Sequence, residues 1–317
     1  MIYSWQKAQW QQFGQLKLQG RLPHAMILTG PEGIGKLSLA KQLASSVLCT
    51  NTQYSESCGH CHSCQLFSAE NHPDHSTIMP EEAGKQIKID QIRQLKAKQE
   101  LTAAVSNWKT VIISPADSMN ISSNNSLLKL LEEPQKNTLL LLLSSKPEKL
   151  PITILSRCQK IAFNVPSESE AYEFIKQARN DIDEDTLKRV LSLAKGAPLR
   201  AIELLDSDII KQIQVIEDDF DLIINGRSNP VQLAKKWQEY DITLTFNHLQ
   251  VLIQQRLGRV LNKLSTVQAK RYWHIYDCII AAIKLLSSSN NINKILLIEQ
   301  FIVSVTDENW TNKSRIN

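Results

Sequence analysis

The sequence of 317 residues predicts an α/β domain, with a parallel sheet flanked by helices, followed by a small helical domain and a larger all-helical domain. Short apolar runs alternate with helical patterns through the first half of the chain, which is typical of a parallel sheet covered by helices. A glycine-rich loop joins the first apolar run to the helical pattern that follows it. Beyond Val165-Pro166 only helical patterns remain. A chain of this length is expected to form about two or three domains.

The elements of the α/β domain follow from the periodicity of the apolar residues. Apolar runs of strand length predict strands at 25–29, 75–79, 109–114, 138–143 and 159–163. Helical periodicity between them predicts helices at 36–49, 89–101 and 124–133, and Pro134 stops the last of these helices. The glycine-rich loop therefore lies between a strand and a helix.

The helical part of the chain begins with a capping box. Residues 167–170 read Ser-Glu-Ser-Glu, which predicts a helix that extends to about residue 179. A second helix is predicted at 186–195, ended by Gly196, and Pro198 suits the first turn of a third helix. Apolar residues at three- and four-residue spacing predict longer helices at 231–240, 244–264 and 269–286. The predicted domains are 1–165, 166–206 and 207–317.

The glycine-rich loop has the spacing of a phosphate-binding loop. Residues 30–37 read Gly-Pro-Glu-Gly-Ile-Gly-Lys-Leu. Glycines in such a loop let backbone N–H groups close on phosphate oxygens, and the lysine adds a cation at the helix N-terminus. The candidate nucleotide-binding residues are Gly30, Gly33, Gly35 and Lys36. The alternative is that the segment is only a well-formed strand-to-helix turn, and the sequence leaves both interpretations open.

Two departures from the usual pattern argue against ATP hydrolysis at this loop. The position after the lysine, which normally carries a hydroxyl that holds Mg²⁺, is Leu37. The strand predicted at 109–114 runs into Ser114-Pro115, where a pair of acids would hold the metal and orient the attacking water. Because both changes affect the same metal ion, the sequence predicts no hydrolysis by this chain. Phosphate binding stays open, since the lysine and the glycines do not need the metal.

A compact group of cysteines predicts a metal site. Cys58, Cys61 and Cys64 are separated by two residues each, and Cys49 precedes them by nine positions. Four thiolates can surround Zn²⁺ as a tetrahedron, so the spacing predicts a structural zinc module at about 49–64. An iron–sulfur cluster is the rival, but the fourth cysteine followed by proline that is typical of bacterial runs is absent.

Other interpretations of the cysteines are also open at this point. The four thiols can be reduced and simply buried, and a histidine can replace Cys49 as the fourth ligand. The histidines that are candidates for this replacement are His60, His62, His72 and His75. The two remaining cysteines, Cys158 and Cys278, stand alone and are assigned to packing.

Composition and charge restrict the class of protein and the cellular compartment that the sequence predicts. The formal net charge of +4 is too small to predict a nucleic-acid-binding surface. The N-terminus lacks a basic region followed by an apolar signal core, and the longest apolar run, 139–143, is too short to cross a bilayer. These features predict a cytoplasmic protein, in which cysteines are thiols or metal ligands rather than disulfides.

Several short motifs follow one another between residues 20 and 201. They include Gly-Arg-Leu-Pro-His-Ala at 20–25, the cysteine group, His-Pro-Asp at 72–74, Leu-Leu-Lys-Leu-Leu-Glu-Glu-Pro at 127–134 and Ile-Leu-Ser-Arg-Cys at 154–158. In this order they resemble the delta prime family of the bacterial DNA polymerase III clamp loader, which belongs to the AAA+ class. The resemblance covers about the first two-thirds of the chain, and the last third carries no matching motif.

The chain also resembles the motor subunit of the same loader, because the motor subunit shares the cysteine group. The motor keeps the hydroxyl and the acids that this sequence lacks, so the sequence falls on the delta prime side. A further difference concerns the second sensor of the class, an arginine three residues after a glycine. Leu199 occupies that place here, and Arg200 follows one position late.

The resemblance implies a fold and roles for individual residues. Arg157, in the Ser-Arg-Cys triplet, corresponds to an arginine finger offered in trans to ATP on a neighbouring motor subunit, where it would neutralise charge on the transferred phosphoryl group. Ser144 falls at the place of the first sensor. The implied fold is an AAA+ domain with an inserted zinc module, a helical lid domain, and a C-terminal domain that joins a collar of like domains from five subunits.

The function that the resemblance implies is that of a non-catalytic, stator-like subunit of the clamp loader within the DNA polymerase III holoenzyme. Its implied partners are the motor (tau or gamma) and delta subunits and, through the complex, the sliding clamp and primer–template DNA. The first alternative is an ATP-hydrolysing motor subunit, which predicts Mg²⁺-dependent ATPase activity in the isolated chain. The second is a zinc-dependent nucleic-acid-binding module on a vestigial ATPase fold, which predicts salt-sensitive DNA binding by the chain alone.

Overall fold

The computed structural model of the chain describes residues 2–51, 56–82, 84–207, 209–260, 266–288 and 292–306. The chain divides into two compact units. The first consists of Met1–Ala178 and Gly196–Arg200, and the second of Arg179–Lys195 and Ala201–Asn317. The three predicted domains, with boundaries near residues 165 and 206, stay a prediction. None of the described helices is long and apolar enough to cross a membrane.

The first unit contains one parallel sheet. Its strands are β1 (Ala25–Thr29), β2 (His75–Ile78), β3 (Lys109–Ile113), β4 (Thr138–Ser144) and β5 (Gln159–Ala162). Their order across the sheet is β2-β3-β4-β1-β5, and all neighbouring strands are parallel. The five predicted strands are thereby confirmed, with ends that shift by one residue at most. The last residue of β1, Thr29, pairs with Ser144 and Ala162, so β1, β4 and β5 end together at the carboxyl edge of the sheet.

Helices cover both faces of this sheet. They are α1 (Lys7–Leu18), α2 (Lys36–Leu48), α3 (His62–Ser68), α4 (Ile89–Glu100), α5 (Ile121–Glu132), α6 (Ile152–Leu155) and α7 (Glu168–Ala178). Successive residues of β1 point to opposite faces: Met26 and Leu28 contact the core on the α2 side, whereas Ala25 and Ile27 contact the core with α4 and α5. Because both faces are buried, β1 is apolar along its whole length rather than alternating.

The predicted helix at 124–133 begins three residues earlier than expected. Asn120 accepts a hydrogen bond at its side-chain oxygen from the backbone N–H of Ser123, at 2.8 Å, and so caps α5 before Ile121. Its end at Glu132 agrees with the stop at Pro134. The helices α1, α3 and α6 were not assigned from the sequence. The capping box before α7 is confirmed, since Ser167 Oγ and the Glu170 carboxylate each accept the other residue's backbone N–H at 3.3 Å.

The second unit is helical throughout its described residues. The remaining helices of the chain are α8 (Glu184–Leu193), α9 (Pro198–Leu205), α10 (Ile209–Ile224), α11 (Pro230–Trp237), α12 (Ile242–Val260), α13 (Thr266–Ser288) and α14 (Lys294–Thr306). The aromatic residues Phe220, Trp237, Phe246 and Phe301 lie in one core with aliphatic residues of α12, α13 and α14. Asn229 caps α11 at the predicted break before Pro230. Of the predicted helix 244–264, residues 261–264 lie outside the described residues.

Candidate functional site

The phosphate loop lies at the carboxyl edge of the sheet, between β1 and α2. The backbone N–H of Gly30 donates to the carbonyl of Ser144, at 3.2 Å, and so joins the loop to the end of β4. Gly35 is the N-cap of α2 with a φ of 83°, and a Cβ at this position would lie 2.5 Å from the ring of Tyr3. Glycine is therefore required at this position both by the backbone angle and by the close approach of the ring. The predicted strand–loop–helix arrangement is confirmed.

The lysine of the loop is held by the loop itself. Lys36 Nζ donates to the carbonyl of Gly30 at 2.6 Å and to that of Pro31 at 2.5 Å. Burial lowers the pKa of Lys36, although the negative charges of Glu32 and Asp117 act in the opposite direction. Two of the three ammonium donors are therefore directed at backbone carbonyls of the same loop.

The N-terminal segment packs against the outer side of the loop. Trp5 Nε1 and Gln6 Nε2 both donate to the carbonyl of Ile34, at 3.0 and 2.9 Å. The rings of Tyr3 and Trp5 stack with centroids 4.9 Å apart, and Phe174 meets both rings edge-on. Sequence reasoning missed these residues, because an aromatic pair near an N-terminus has no spacing that indicates a loop contact.

The loop is also contacted by the segment that precedes and opens α9. The backbone N–H of Leu199 donates to the carbonyl of Gly33, at 3.0 Å. A Cβ at Gly33 would lie 2.6 Å from the backbone nitrogen of Arg200. The residue at the place of the second sensor thus contacts the loop through its main chain.

The residues around the missing metal ligands form a closed hydrogen-bond network. Asp117 lies in a short 3-10 helix, Ala116–Ser118, just beyond Ser114-Pro115. Its carboxylate accepts a hydrogen bond from Ser144 Oγ at 2.5 Å and from the backbone N–H of Ser145 at 3.1 Å. Ser144 Oγ in turn accepts the backbone N–H of Lys146 at 3.1 Å. The hydroxyl predicted as the first sensor is therefore engaged within the chain on both its donor and acceptor sides.

The four predicted cysteine ligands lie together. The Sγ atoms of Cys49, Cys58, Cys61 and Cys64 all lie within 4.8 Å of one another. The Cys49–Cys61 and Cys58–Cys64 sulfur pairs are 3.9 and 4.0 Å apart. Sulfurs arranged as a tetrahedron around Zn²⁺ would be about 3.8 Å apart, given a Zn–S bond of about 2.3 Å. The group can therefore hold one tetrahedral ion with little movement.

Backbone N–H groups of the module point at the same sulfurs. Cys58, Cys61 and Cys64 donate their N–H groups to the sulfurs of Cys49, Cys58 and Cys61 respectively, each at 3.4 Å. Burial opposes ionisation of Cys61, but hydrogen bonds from Thr50 and Cys64 outweigh it and lower the pKa of this thiol to about 5. Burial raises the pKa of Cys64 to about 12. A bound metal would have to displace the proton of Cys64, and metal affinity is therefore expected to fall with falling pH.

A lysine lies next to the cysteine group. Lys17 Nζ donates to the carbonyl of Ser46, at 2.6 Å, in the last turn of α2. Burial lowers the pKa of Lys17, while the charges of Cys49 and Cys64 act in the opposite direction. Four thiolates around Zn²⁺ carry two net negative charges, which a neighbouring ammonium partly offsets.

The histidine alternatives for the fourth ligand do not fit the geometry. Within the described residues the group of ligand atoms consists of the four cysteines, so Cys49 and not a histidine completes it. His72 Nε2 bonds to Ser63 Oγ at 2.8 Å, and His72 Nδ1 accepts the backbone N–H of Asp74 at 3.1 Å. Ser63 Oγ donates to the carbonyl of Leu48, which precedes Cys49. The His-Pro-Asp motif therefore supports the module from outside.

The predicted arginine finger lies in the turn between α6 and β5. Arg157 Nη2 is 2.9 Å from the Glu132 carboxylate, and Arg157 Nη1 donates to the carbonyl of Thr153 at 2.9 Å. The arginine side chain keeps 36% of its accessible surface. The neighbouring Cys158 is buried in the core below the α4–α5 face, and burial raises the pKa of its thiol to about 11, as expected for a packing residue.

The parallel sheet, the phosphate loop after β1 and the inserted cysteine module define an AAA+ domain of the clamp-loader class. The family model described as "DNA polymerase III, delta subunit" matches residues 5–167. The delta prime subunit of DNA polymerase III from Pseudomonas aeruginosa is 36% identical, covering 78% of this chain and 74% of the relative. The delta prime subunit from Haemophilus influenzae is 33% identical, covering 73% and 70%. The chain belongs to the DNA polymerase III delta prime family.

More distant similarities extend to other subunits of this polymerase. The tau subunit of Bacillus subtilis is 28% identical, covering 75% of this chain and 43% of the relative. A solved DNA polymerase III gamma subunit-related protein from Thermotoga maritima is 19% identical with a TM-score of 0.45, covering 93% and 98% of the two chains.

Proposed function

We propose that this chain is a non-catalytic, stator-like subunit of the replicative clamp loader. It assembles with motor subunits and supplies Arg157 in trans to the ATP site of a neighbouring motor subunit, while the sliding clamp is loaded onto primed DNA. One contrast carries the proposal. The chain offers a partly exposed arginine whose remaining N–H donors have no partner among the described residues, whereas the lysine of its own loop donates to the carbonyls of Gly30 and Pro31.

Several contacts support the absence of intrinsic ATP hydrolysis. Leu37 supplies no hydroxyl, and Ser114-Pro115 supplies no carboxylate, for Mg²⁺. Asp117, the nearest acid along the chain, accepts hydrogen bonds from Ser144 and Ser145. Tyr3, Trp5 and Gln6 pack against the loop from the other side. Within this arrangement Gly30, Gly33, Gly35 and Lys36 belong to the turn that joins β1 to α2, and nucleotide binding is not required for the proposed role.

The partners follow from the family. The relatives named delta prime and tau support membership in a complex with motor (tau or gamma) and delta subunits. We place the sliding clamp and primer–template DNA among the partners that the complex contacts as a whole, and the compartment is the cytoplasm. Residues 166–206 then act as the lid, and 207–317 join the collar of five subunits.

The cysteine module is proposed to hold a structural Zn²⁺ through Cys49, Cys58, Cys61 and Cys64. The sulfur separations fit a single tetrahedral ion, and the N–H groups directed at the sulfurs favour their thiolate form. The ion would cross-link the end of α2 to the start of α3, in addition to the packing of Phe67 against the core that contains α2. A catalytic role is not proposed, because all four positions of the tetrahedron are filled by protein ligands.

The test is an ATPase measurement on a loader reconstituted with Arg157→Ala, beside the isolated chain. We expect the clamp- and DNA-stimulated turnover of the complex to fall about tenfold or more, since an arginine finger strongly stabilises the transition state of phosphoryl transfer. Lys160→Ala removes an exposed cation three residues away and is the matched control, with unchanged turnover. Unchanged turnover with Arg157→Ala would refute the finger, and Mg²⁺-dependent hydrolysis by the isolated chain would favour the motor alternative.

A further inference from the structure

Two motifs that are 20 or more residues apart in the sequence meet at Arg157. Glu132 is the last residue of α5 and belongs to the run at 127–134, whereas Arg157 belongs to the Ser-Arg-Cys triplet. Their side chains form an ion pair with 2.9 Å between Arg157 Nη2 and Glu132 Oε1. Nothing in the proposed role of Arg157 by itself explains why an acid should lie against it.

Among the described residues, the guanidinium of Arg157 is held at its two terminal nitrogens. Its Nη1 donates to the carbonyl of Thr153 in α6, and its Nη2 contacts Glu132 in α5. A guanidinium is planar and carries five N–H donors, so two anchored nitrogens define the plane while three donors remain for another acceptor. An incoming phosphate with several oxygens is the kind of acceptor that these remaining donors suit.

The ion pair between Glu132 and Arg157 is better suited to orienting the arginine side chain than to stabilising the fold. The two side chains keep 36% and 48% of their accessible surface, and ion pairs this exposed contribute little to folding. The position of Glu132 is nevertheless well determined, because Pro134 forces α5 to end beside it. Lys96 and Lys129 line the same open cleft of about 520 Å³ as Glu132, yet the ion pair of Glu132 is with Arg157.

We propose that Glu132 is a positioning residue for Arg157. Glu132 and the Thr153 carbonyl together fix the plane of the guanidinium. In this orientation the remaining N–H donors of Arg157 can meet a phosphoryl group on the neighbouring subunit. A long arginine side chain loses rotamer freedom when it engages a ligand, and prior fixation reduces this loss at the moment of reaction. The proposal rests on the proposed function of Arg157 as a finger, and its test separates the two.

The experiment uses the reconstituted loader with clamp and primed DNA, and measures kcat and KM for ATP. Glu132→Ala is expected to lower kcat about two- to fivefold, in line with the coupling expected of an exposed ion pair. KM for ATP stays unchanged, because the nucleotide is bound by the motor subunit. Glu132→Gln, which keeps a hydrogen-bond acceptor, recovers part of the loss. Glu133→Ala removes the adjacent exposed acid and leaves kcat unchanged.

The double variant Glu132→Ala/Arg157→Ala identifies the route of the effect. If Glu132 acts through Arg157, the double variant has the turnover of Arg157→Ala alone. Three results would overturn the positioning role. They are a further loss of turnover in the double variant, an unchanged kcat for Glu132→Ala, and a raised kcat for Glu132→Ala, which would mean that Glu132 restrains Arg157. If Arg157→Ala itself has no effect, the proposed function fails first. Thermal unfolding of each chain, expected to be unchanged, excludes misfolding as the cause.

Discussion

Asp117 illustrates how the side chains beside the glycine-rich loop are engaged within the chain. Its carboxylate lies just beyond the position at which an acid could hold a metal ion, and it accepts hydrogen bonds from Ser144 Oγ and Ser145 N–H. The negative charge is therefore satisfied within the chain, next to a lysine that donates to its own loop. We therefore attribute the proposed loss of Mg²⁺ binding to several residues together, not to Leu37 alone.

This gives a prediction for a single restoring substitution. Leu37→Thr replaces the residue after the loop lysine with the hydroxyl that normally holds Mg²⁺. We expect the isolated variant to release phosphate from Mg²⁺-ATP at the background rate of the unaltered chain, because Ser114-Pro115 still supplies no acid. Lys36→Ala is the control that defines background. Clear Mg²⁺-dependent turnover in Leu37→Thr but not in Lys36→Ala would contradict this account.

Part of the site could be read from residue types and part could not. The spacing indicates Cys58, Cys61 and Cys64, because two-residue gaps bring thiols to one ion, whereas the structure selects Cys49 over a histidine as the fourth ligand. In contrast, Arg157 pairs with Glu132 and Ser144 with Asp117, both in elements distant along the chain, and nothing in the sequence indicates these contacts. Tyr3, Trp5 and Gln6 are a similar case, since packing of an N-terminal segment on a loop depends on tertiary structure.

At the scale of elements, the strands were the best predicted part of the fold. A central parallel strand is buried on both faces, so an uninterrupted apolar run such as 139–143 indicates it directly. Helices were less well predicted where apolar periodicity is weak. The helix α3 carries one cysteine, Cys64, and has Cys61 as its N-cap, so its pattern reflects metal binding more than an apolar face. The helix α1 is rich in glutamine, which gives it little apolar contrast.

The short helix α3 is expected to depend on the metal. A helix of seven residues is too short to be stable by itself, and its N-cap is the sulfur of Cys61, which accepts the N–H of Cys64. Removal of Zn²⁺ with a chelator should therefore expose the backbone of α3 to solvent, while β1 to β5 keep their protection. Hydrogen exchange measured by mass spectrometry over 56–68 tests this expectation.

Matched variants separate metal loss from loss of a thiol. Cys61→Ser should reproduce the fast exchange of α3 and lower the zinc content, whereas Cys278→Ser, at a lone cysteine on α13, should change neither. Slow exchange of α3 in the metal-free protein would mean that packing alone holds this element. A loss of protection in the sheet strands would mean that the module supports more than its own segment.

At the scale of the whole molecule, the two units have separate apolar cores and both contain buried histidines. Burial lowers the pKa of His75 to about 4, and the charges of His72 and Lys41 act in the same direction. Burial also lowers the pKa of His248 in the second unit, although Glu217 acts against this shift. Such histidines bind a proton less readily in the folded chain than in the unfolded chain, where they take it up near pH 6.5.

The free energy of unfolding is therefore expected to decrease as the pH falls from 7 to 5. Below about pH 6.5 the unfolded chain binds more protons than the folded chain, so acidification favours unfolding by up to about 1.4 kcal/mol per pH unit for each fully neutral histidine. Urea unfolding at several pH values measures the slope. His248→Gln, at a site remote in sequence from the cysteines, should reduce it.

The exposed His60 provides the control for this pH dependence. His60→Gln should leave the slope as it is in the unaltered chain. An equal slope in His248→Gln and the unaltered chain would show that the buried imidazole of the second unit does not contribute to acid destabilisation.

The pairing of β1 with β5 has a consequence for how neighbouring chains must be arranged. The phosphate loop follows the end of β1, whereas Arg157 precedes the start of β5, and these strands run parallel with Thr29 opposite Ala162. The two sites therefore lie at opposite edges of the sheet, separated by roughly 10 Å of strand. In the role that we propose for Arg157, a subunit built in this way gives its arginine to the nucleotide site of the next chain in a row and not to its own. Such contacts are head-to-tail and have a direction. We propose that the loop of this chain does not support ATP hydrolysis. We therefore expect the chain to give Arg157 to one neighbour without receiving an arginine from another, and to lie at one end of the row.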